Sequence, residues 1–92
     1  MIRSFRNKDT ARLFRGICPP RLTAVRVAAE RKLAMIDAAT TIGFLRSPPS
    51  NRLERLSADR AGQWSIRIND QWRVCFRFEK GDALDVEIVD YH

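Results

Sequence analysis

Three segments in the last third of the chain alternate apolar and polar residues one by one. Trp64, Ile66 and Ile68 alternate with Gln63, Ser65 and Arg67. Trp72, Val74, Phe76 and Phe78 alternate with Arg73, Cys75 and Arg77. Leu84, Val86 and Ile88 alternate with Asp85, Glu87 and Val89. A period of two belongs to strands with one buried and one open face. Three such strands in succession, with short breaks at Asn69-Asp70-Gln71 and around Gly81, predict an antiparallel β-meander.

The pattern also predicts the register. A two-residue loop at Asn69-Asp70 would set Arg67 against Trp72 and mix charged and apolar side chains on one face. A three-residue loop, Asn69-Asp70-Gln71, pairs Ile68 with Trp72, Ile66 with Val74 and Trp64 with Phe76, and keeps one apolar face. The same logic at the Gly81 turn pairs Phe76 with Val86 and Val74 with Ile88. The open face then carries three rows: Gln63, Arg77 and Asp85; Ser65, Cys75 and Glu87; Arg67, Arg73 and Val89. Arg77 opposite Asp85 is favourable. Arg67 opposite Arg73 sets like charges together, at a cost of a few tenths of a kcal/mol. Such a pair can hold an anion, splay into water, or find an acid off the sheet.

The chain before the meander reads as helical. Asp9 or Thr10 can cap a short helix ending near Gly16, with Leu13 and Phe14 facing inward. Pro19-Pro20 separates it from a longer helix over Thr23 to about Thr41. There, Leu22, Val25, Ala29, Leu33, Ile36 and Ala39 form one apolar stripe, with Arg26 and Glu30 as an i,i+4 pair on the far side. Ile42 to Leu45 adds a further helical turn. Residues 2–5 and 52–57 read as short strands. With 92 residues, one domain spanning 1–92 is expected. Its class is α+β, with N-terminal helices packed on one face of a twisted, mainly antiparallel sheet.

Charge narrows the function. The net charge is +6, and only Lys8, Lys32 and Lys80 among the 17 basic residues are Lys. Arg makes planar, two-pronged contacts with phosphate that Lys does not. Residues 1–55 carry 12 basic and 4 acidic side chains, and residues 56–92 carry 5 and 7. The helical half is therefore strongly basic, while the meander holds isolated Arg among acids. Two cysteines, Cys18 and Cys75, and one histidine predict neither a disulfide framework nor a metal site. No cofactor is expected. The first residues lack the apolar run of a signal peptide, and no stretch is long enough to span a membrane. A cytoplasmic protein with reduced thiols is expected.

The strand direction carries the chain past Val89 towards Arg67 and Arg73. Tyr91 should share their face, flanked by Asp90 and His92. These residue types suit RNA cleavage. The 2′-hydroxyl of RNA needs a base to take its proton, cations to hold the phosphorane charge, and an acid for the leaving 5′-oxygen. His titrates near neutral pH, Asp is a base or an orienting group, Arg binds phosphate, and Tyr stacks on a base or donates to phosphate.

The run Asp59-Arg60-Ala61-Gly62-Gln63-Trp64-Ser65-Ile66-Arg67-Ile68, its continuation Asn69 to Phe78, Gly81-Asp82-Ala83 and the ending Asp90-Tyr91-His92 resemble the HigB branch of the RelE toxin superfamily. Met1 to Phe5 and Ile36 to Thr40 resemble it as well. The resemblance implies a RelE-like α+β microdomain and the toxin of a type II toxin–antitoxin pair. Such a toxin cleaves mRNA in the ribosomal A site without a metal, and a helix-turn-helix, HigA-like antitoxin neutralises it. It also implies catalytic roles for Arg73, Asp90, Tyr91 and His92. Three positions depart from the family pattern: Glu54 stands where His is common, Ser57 where Lys is common, and Ala58 where Gly is common. The departures imply a mild toxin, with Glu54 a further participant and Arg60, Arg67 and Ser57 supporting the phosphate. Two other readings fit the same sequence: a non-catalytic RNA- or ribosome-binding protein that blocks translation, and a module for an acidic protein partner.

Overall fold

The first helix starts where a side chain satisfies its free amides. In the computed structural model, which describes residues 1–90, Asn7 is extended and its Oδ1 accepts from the Thr10 amide at 2.8 Å. That is an N-cap contact, and it lies upstream of the expected Asp9 or Thr10. Helix α1 spans Lys8–Phe14. Gly16 follows with φ +92, a conformation that only glycine adopts without strain. Thr10 lies inside the helix instead of capping it. It is fully buried, and its Oγ1 accepts from the Ile88 amide at 3.0 Å. Leu13 points into the core as expected, but Phe14 is 39% exposed and lies against Phe5, with ring centroids 5.5 Å apart.

The second helix is shorter at both ends than expected. A 3₁₀ segment, Pro20–Val25, precedes α2, Arg26–Ala38. The prolines hold the start of this stretch in tighter turns. The stripe survives the change: Leu22, Ala29, Leu33, Ile36 and Ala39 are fully buried, and Val25 packs against them. Arg26 and Glu30 pair at 3.4 Å. A 3₁₀ segment over Ile42–Arg46 supplies the expected extra turn.

Lys32 is a cation on the buried side of α2. Its Nζ donates to Asn51 Oδ1 at 2.5 Å, and Asn51 Nδ2 donates to the carbonyls of Leu45 and Ser47 at 3.2 and 3.3 Å. Desolvation lowers the Lys32 pKa below its ordinary value, and the charges of Arg31 and Arg67 lower it further. Asn51 itself is fully buried. It ties α2 to the loop that leads into the sheet.

The sheet has four antiparallel strands in chain order: β1 (Glu54–Arg55), β2 (Trp64–Arg67), β3 (Trp72–Glu79) and β4 (Asp82–Asp90). The expected strand over 52–57 thus contracts to two residues. The β2–β3 register is the one the alternation predicts: Trp64 faces Phe76, Ile66 faces Val74, and Arg67 faces Arg73. The Ile68 amide donates to the Trp72 carbonyl at 2.9 Å. Asn69 Oδ1 closes the loop by accepting from the amides of Gln71 and Trp72 at 2.9 and 2.8 Å.

The next hairpin departs from expectation in half its length. Val74 faces Ile88 and Cys75 faces Glu87, as expected, but Arg77 faces Leu84 and not Asp85, and the pairing of Phe76 with Val86 is lost to the irregularity. Lys80 and Gly81 both have positive φ, and they join the paired residues Glu79 and Asp82. A two-residue turn of this kind matches strand twist, but it offsets the register by one. The extra residue is taken up as a bulge in β4, with Asp85 at φ +52. The bulge shifts the strand's phase, so Ala83 enters the core in place of Leu84.

Residues 2–5 do form an extended piece, laid parallel along the outer edge of β4 with bridges Ile2–Ala83 and Phe5–Val86. Both helices pack on one face of the sheet, against Ile66, Val74, Phe76, Val86 and Ile88. The opposite face is not open as expected. Ser65 and Cys75 are fully buried there, and Gln63 and Arg73 nearly so. No helix among the described residues is long and apolar enough to cross a membrane. Replacing Asn51 by Ala leaves Lys32 and two carbonyls without their partner. We expect it to lower stability by about 2–3 kcal/mol in urea unfolding, with the secondary structure retained.

Candidate active site

Arg73 is a charged side chain held in place from two sides. It lies in the middle of the sheet on the face away from the helices and is 9% exposed. Its Nε donates to Ser65 Oγ at 2.9 Å, and its Nη2 donates to the Arg52 carbonyl at 2.8 Å. Glu54 Oε2 lies 3.8 Å from Nη2. The carbonyl is presented by an unusual backbone: Arg52 has φ +45 and ψ +54, a left-handed conformation that costs about 1–2 kcal/mol in a residue other than glycine. A guanidinium clamped at Nε and one Nη keeps its orientation before any phosphate arrives, and that is what electrostatic stabilisation of a transition state needs.

A second guanidinium is held on the same face. Arg60 Nη1 donates to Gln63 Oε1 at 3.1 Å and to Glu87 Oε1 at 3.0 Å. Both cations act on the buried Cys75 thiol. Burial pushes its pKa up. The charges of Arg60 and Arg73 pull it down, and those of Glu87 and Glu54 push it up again. Four of the charged groups on this face therefore bear on one buried point. Cys75 itself is walled off, and its environment favours the unreactive thiol.

The remaining expected residues divide. Glu54, Ser57 and Arg60 line a shallow depression of about 300 Å³ together with Leu56, Ala58 and Asp59, and of these Glu54 lies beside Arg73. Arg67 stands opposite Arg73 in the backbone register, but its guanidinium pairs with Asp70 in the adjoining loop. That is the acid off the sheet which the sequence left open as an alternative. Asp90 ends β4 opposite Trp72, exposed, and its Oδ2 accepts from Gln71 Nε2 at 3.2 Å. Tyr91 and His92 lie outside the described residues.

Ser65 and Glu87 lie in the row that the alternation predicts, flanking Cys75, but residue type alone gives them no function. Their use follows from the loop before β2, whose path no alternation predicts. The glycine that the resemblance implies at position 58 would suit the backbone there, and the alanine in its place carries a cost. Ala58 has φ +53, a region where glycine is at ease and alanine is strained.

Two outcomes follow from this geometry. Cys75 should resist iodoacetamide in the native protein at pH 8 and react only in denaturant, as read by mass spectrometry. The half-exposed Cys18 should react first. The exposed Ala58→Gly substitution should raise stability by about 0.5–1 kcal/mol in urea unfolding, because it relieves the left-handed strain.

The comparisons with known proteins agree with the fold. The family described as RelE-like toxin of type II toxin–antitoxin system HigB matches residues 2–92. The chain is 38% identical over 95 residues to the protein named Endoribonuclease HigB of Proteus vulgaris, with both chains covered in full. It is 41% identical over 63 residues to Toxin HigB-1 of Vibrio cholerae, covering 68% of this chain and 66% of that one. A structure of the YoeB–YefM complex from Staphylococcus aureus superimposes with a TM-score of 0.61 over 100% of this chain and 98% of its own, at 15% identity. That likeness speaks for the fold alone. With the profile matched from Ile2 to His92 and a relative aligned end to end, the chain belongs to the HigB-like toxins, the RelE-like toxins of type II toxin–antitoxin systems.

Proposed function

We propose that the protein is a metal-independent endoribonuclease that cuts mRNA in the ribosomal A site, and that the face around Arg73 is its active site. The observation that carries this reading is the clamp on Arg73, a buried guanidinium fixed by Ser65 and the Arg52 carbonyl with a second guanidinium, Arg60, on the same face. The name of the Proteus vulgaris relative supports the activity. In this reading the 2′-hydroxyl attacks the adjacent phosphorus. Asp90 or His92 takes its proton, the P–O5′ bond breaks, and His92 or a water molecule returns a proton to the 5′-oxygen. The product keeps a 2′,3′-cyclic phosphate. Arg73 carries the phosphorane charge, Arg60 and Arg67 add to the field, Ser57 donates to phosphate, and Tyr91 stacks on the base being read. An antitoxin of the HigA-like, helix-turn-helix kind is the proposed partner, and the cytoplasm is the proposed location.

Glu54 favours attenuated cleavage. Its carboxylate stands beside Arg73 where a phosphate would bring its own negative charge. A protein that binds RNA and blocks translation without cutting it is the second reading that this observation supports.

Primer extension on a reporter mRNA, after induction in translating cells, tests the assignment. The wild-type chain should produce new cuts. Arg73→Ala should lower cutting by about 100-fold or more with the circular dichroism spectrum unchanged, and His92→Ala should do the same. Arg73→Lys should not restore activity, because one ammonium cannot meet Ser65, the Arg52 carbonyl and a phosphate at once. Glu54→Gln should raise the rate several-fold by removing the competing charge. Growth arrest with intact mRNA would instead establish the non-cutting reading.

A further inference from the structure

A second basic feature lies outside the site. The extended N-terminal segment and α1 enclose a cleft of about 500 Å³ whose walls include Arg3, Arg6, Lys8, Arg15 and the ring of Phe5. Arg3 is paired with Asp82 at 3.3 Å. Lys8 and Arg15 make no ion pair among the described residues, and both are exposed. The cleft therefore presents uncompensated positive charge.

The cleft is joined to the active face through one carboxylate. Glu87 Oε1 lies 3.0 Å from Arg60 Nη1 and 3.9 Å from Arg6 Nε. Two cations thus lean on a single oxygen, one from the active face and one from the cleft wall, so their shared anion leaves an excess of positive charge. Glu87 links Arg60 to Arg6, and Arg6 shares the cleft with Lys8 and Arg15, so these cations succeed one another away from the Arg73 face. A polyanion whose charges are regularly spaced along its backbone fits such an arrangement, because successive cations can follow that backbone.

We infer that single-stranded RNA flanking the scissile phosphate runs from the Arg73 face across the Arg60–Glu87–Arg6 bridge into the cleft of Lys8 and Arg15. The inference rests on the proposed RNA-cleaving function, and it adds a binding subsite remote from the reacting atoms. An acidic polypeptide is the rival occupant. It would be drawn by the same charge, but its charges sit on flexible side chains and not at regular steps along the backbone.

The test uses fluorescence anisotropy of the full chain with labelled, fully 2′-O-methylated RNA. Cleavage is blocked in that probe, so binding is judged apart from catalysis. A short probe of about six nucleotides spans the active face, and a long probe of about eighteen reaches the cleft. In the double variant Lys8→Ser, Arg15→Ser, the long probe should bind about tenfold more weakly. Its slope of log affinity against log salt should fall by about 1.4, the loss of two phosphate contacts to a single strand. The short probe should bind as it does to the wild type. The charge-keeping pair Lys8→Arg, Arg15→Lys should restore long-probe binding, which separates a charge effect from a folding defect. Unchanged long-probe affinity and salt slope in the double variant would overturn the track, even if the wild type still cuts mRNA. Equal loss for polyglutamate and the long probe would also overturn it, in favour of an acidic protein partner. A wild-type chain that binds the long probe through Lys8 and Arg15 but never cuts mRNA would uphold the track and remove the catalytic reading.

Discussion

The pairing of β2 with β3 governs the rest of the structure. Ile66 stands opposite Val74 and Arg67 opposite Arg73, and Asn69 fixes that offset by taking two amides of the loop. A slip of one residue would turn Arg73 into the helix-side core and Val74 out of it. The register is therefore a condition for the site as much as for the core. The same offset brings Ser65 under the guanidinium of Arg73, so the hydroxyl and the charge meet because the strands are in step.

The face opposite the helices is built in a way that hydrophobic burial alone does not explain. It is covered by polar and charged groups that satisfy one another: Arg73 with Ser65 and the Arg52 carbonyl, Arg60 with Gln63 and Glu87. Buried cations are costly unless their donors are met. Here several donors are met by neutral oxygens. A carbonyl or hydroxyl satisfies a guanidinium N–H without cancelling its charge, so the positive potential is retained at a place shielded from water. Left-handed backbone at Arg52 and Ala58 is the steric cost of bringing the loop to that position, and strain of this kind collects where geometry serves function.

Much of this was legible in the residues. Strict alternation predicted the meander, the three-residue loop and the facing arginines, because a period of two leaves one register that keeps a face apolar. The stripe on α2 was legible for the same reason. Other features were hidden by competing physics. The β4 bulge arises because a two-residue turn at Lys80-Gly81 is better suited to strand twist than the longer loop the pattern implied. The Asn7 cap was missed because Asp9 and Thr10 are equally good capping types, and only the tertiary bond from Ile88 to Thr10 Oγ1 decides among them. The cover over Ser65 and Cys75 comes from an irregular loop with no periodicity. Of the proposed site, Arg73, Arg60, Glu54 and Ser57 are nameable from residue type and resemblance. The supporting Ser65, Glu87 and Arg52 carbonyl required coordinates.

The N-terminal segment has a consequence for the order of events in folding. Its extended residues take their hydrogen bonds from β4: Arg3 donates to the Ala83 carbonyl at 2.8 Å, and the Val86 amide donates to the Ser4 carbonyl at 3.1 Å. Contacts this distant in sequence form slowly, and only after the intervening chain has closed its loop. Glu87, the carboxylate shared by Arg6 and Arg60, lies on that same strand. The outer edge of the sheet and the alignment of its cations therefore hang on one docking event, and until β4 is in place the basic half of the chain lacks the strand that organises it.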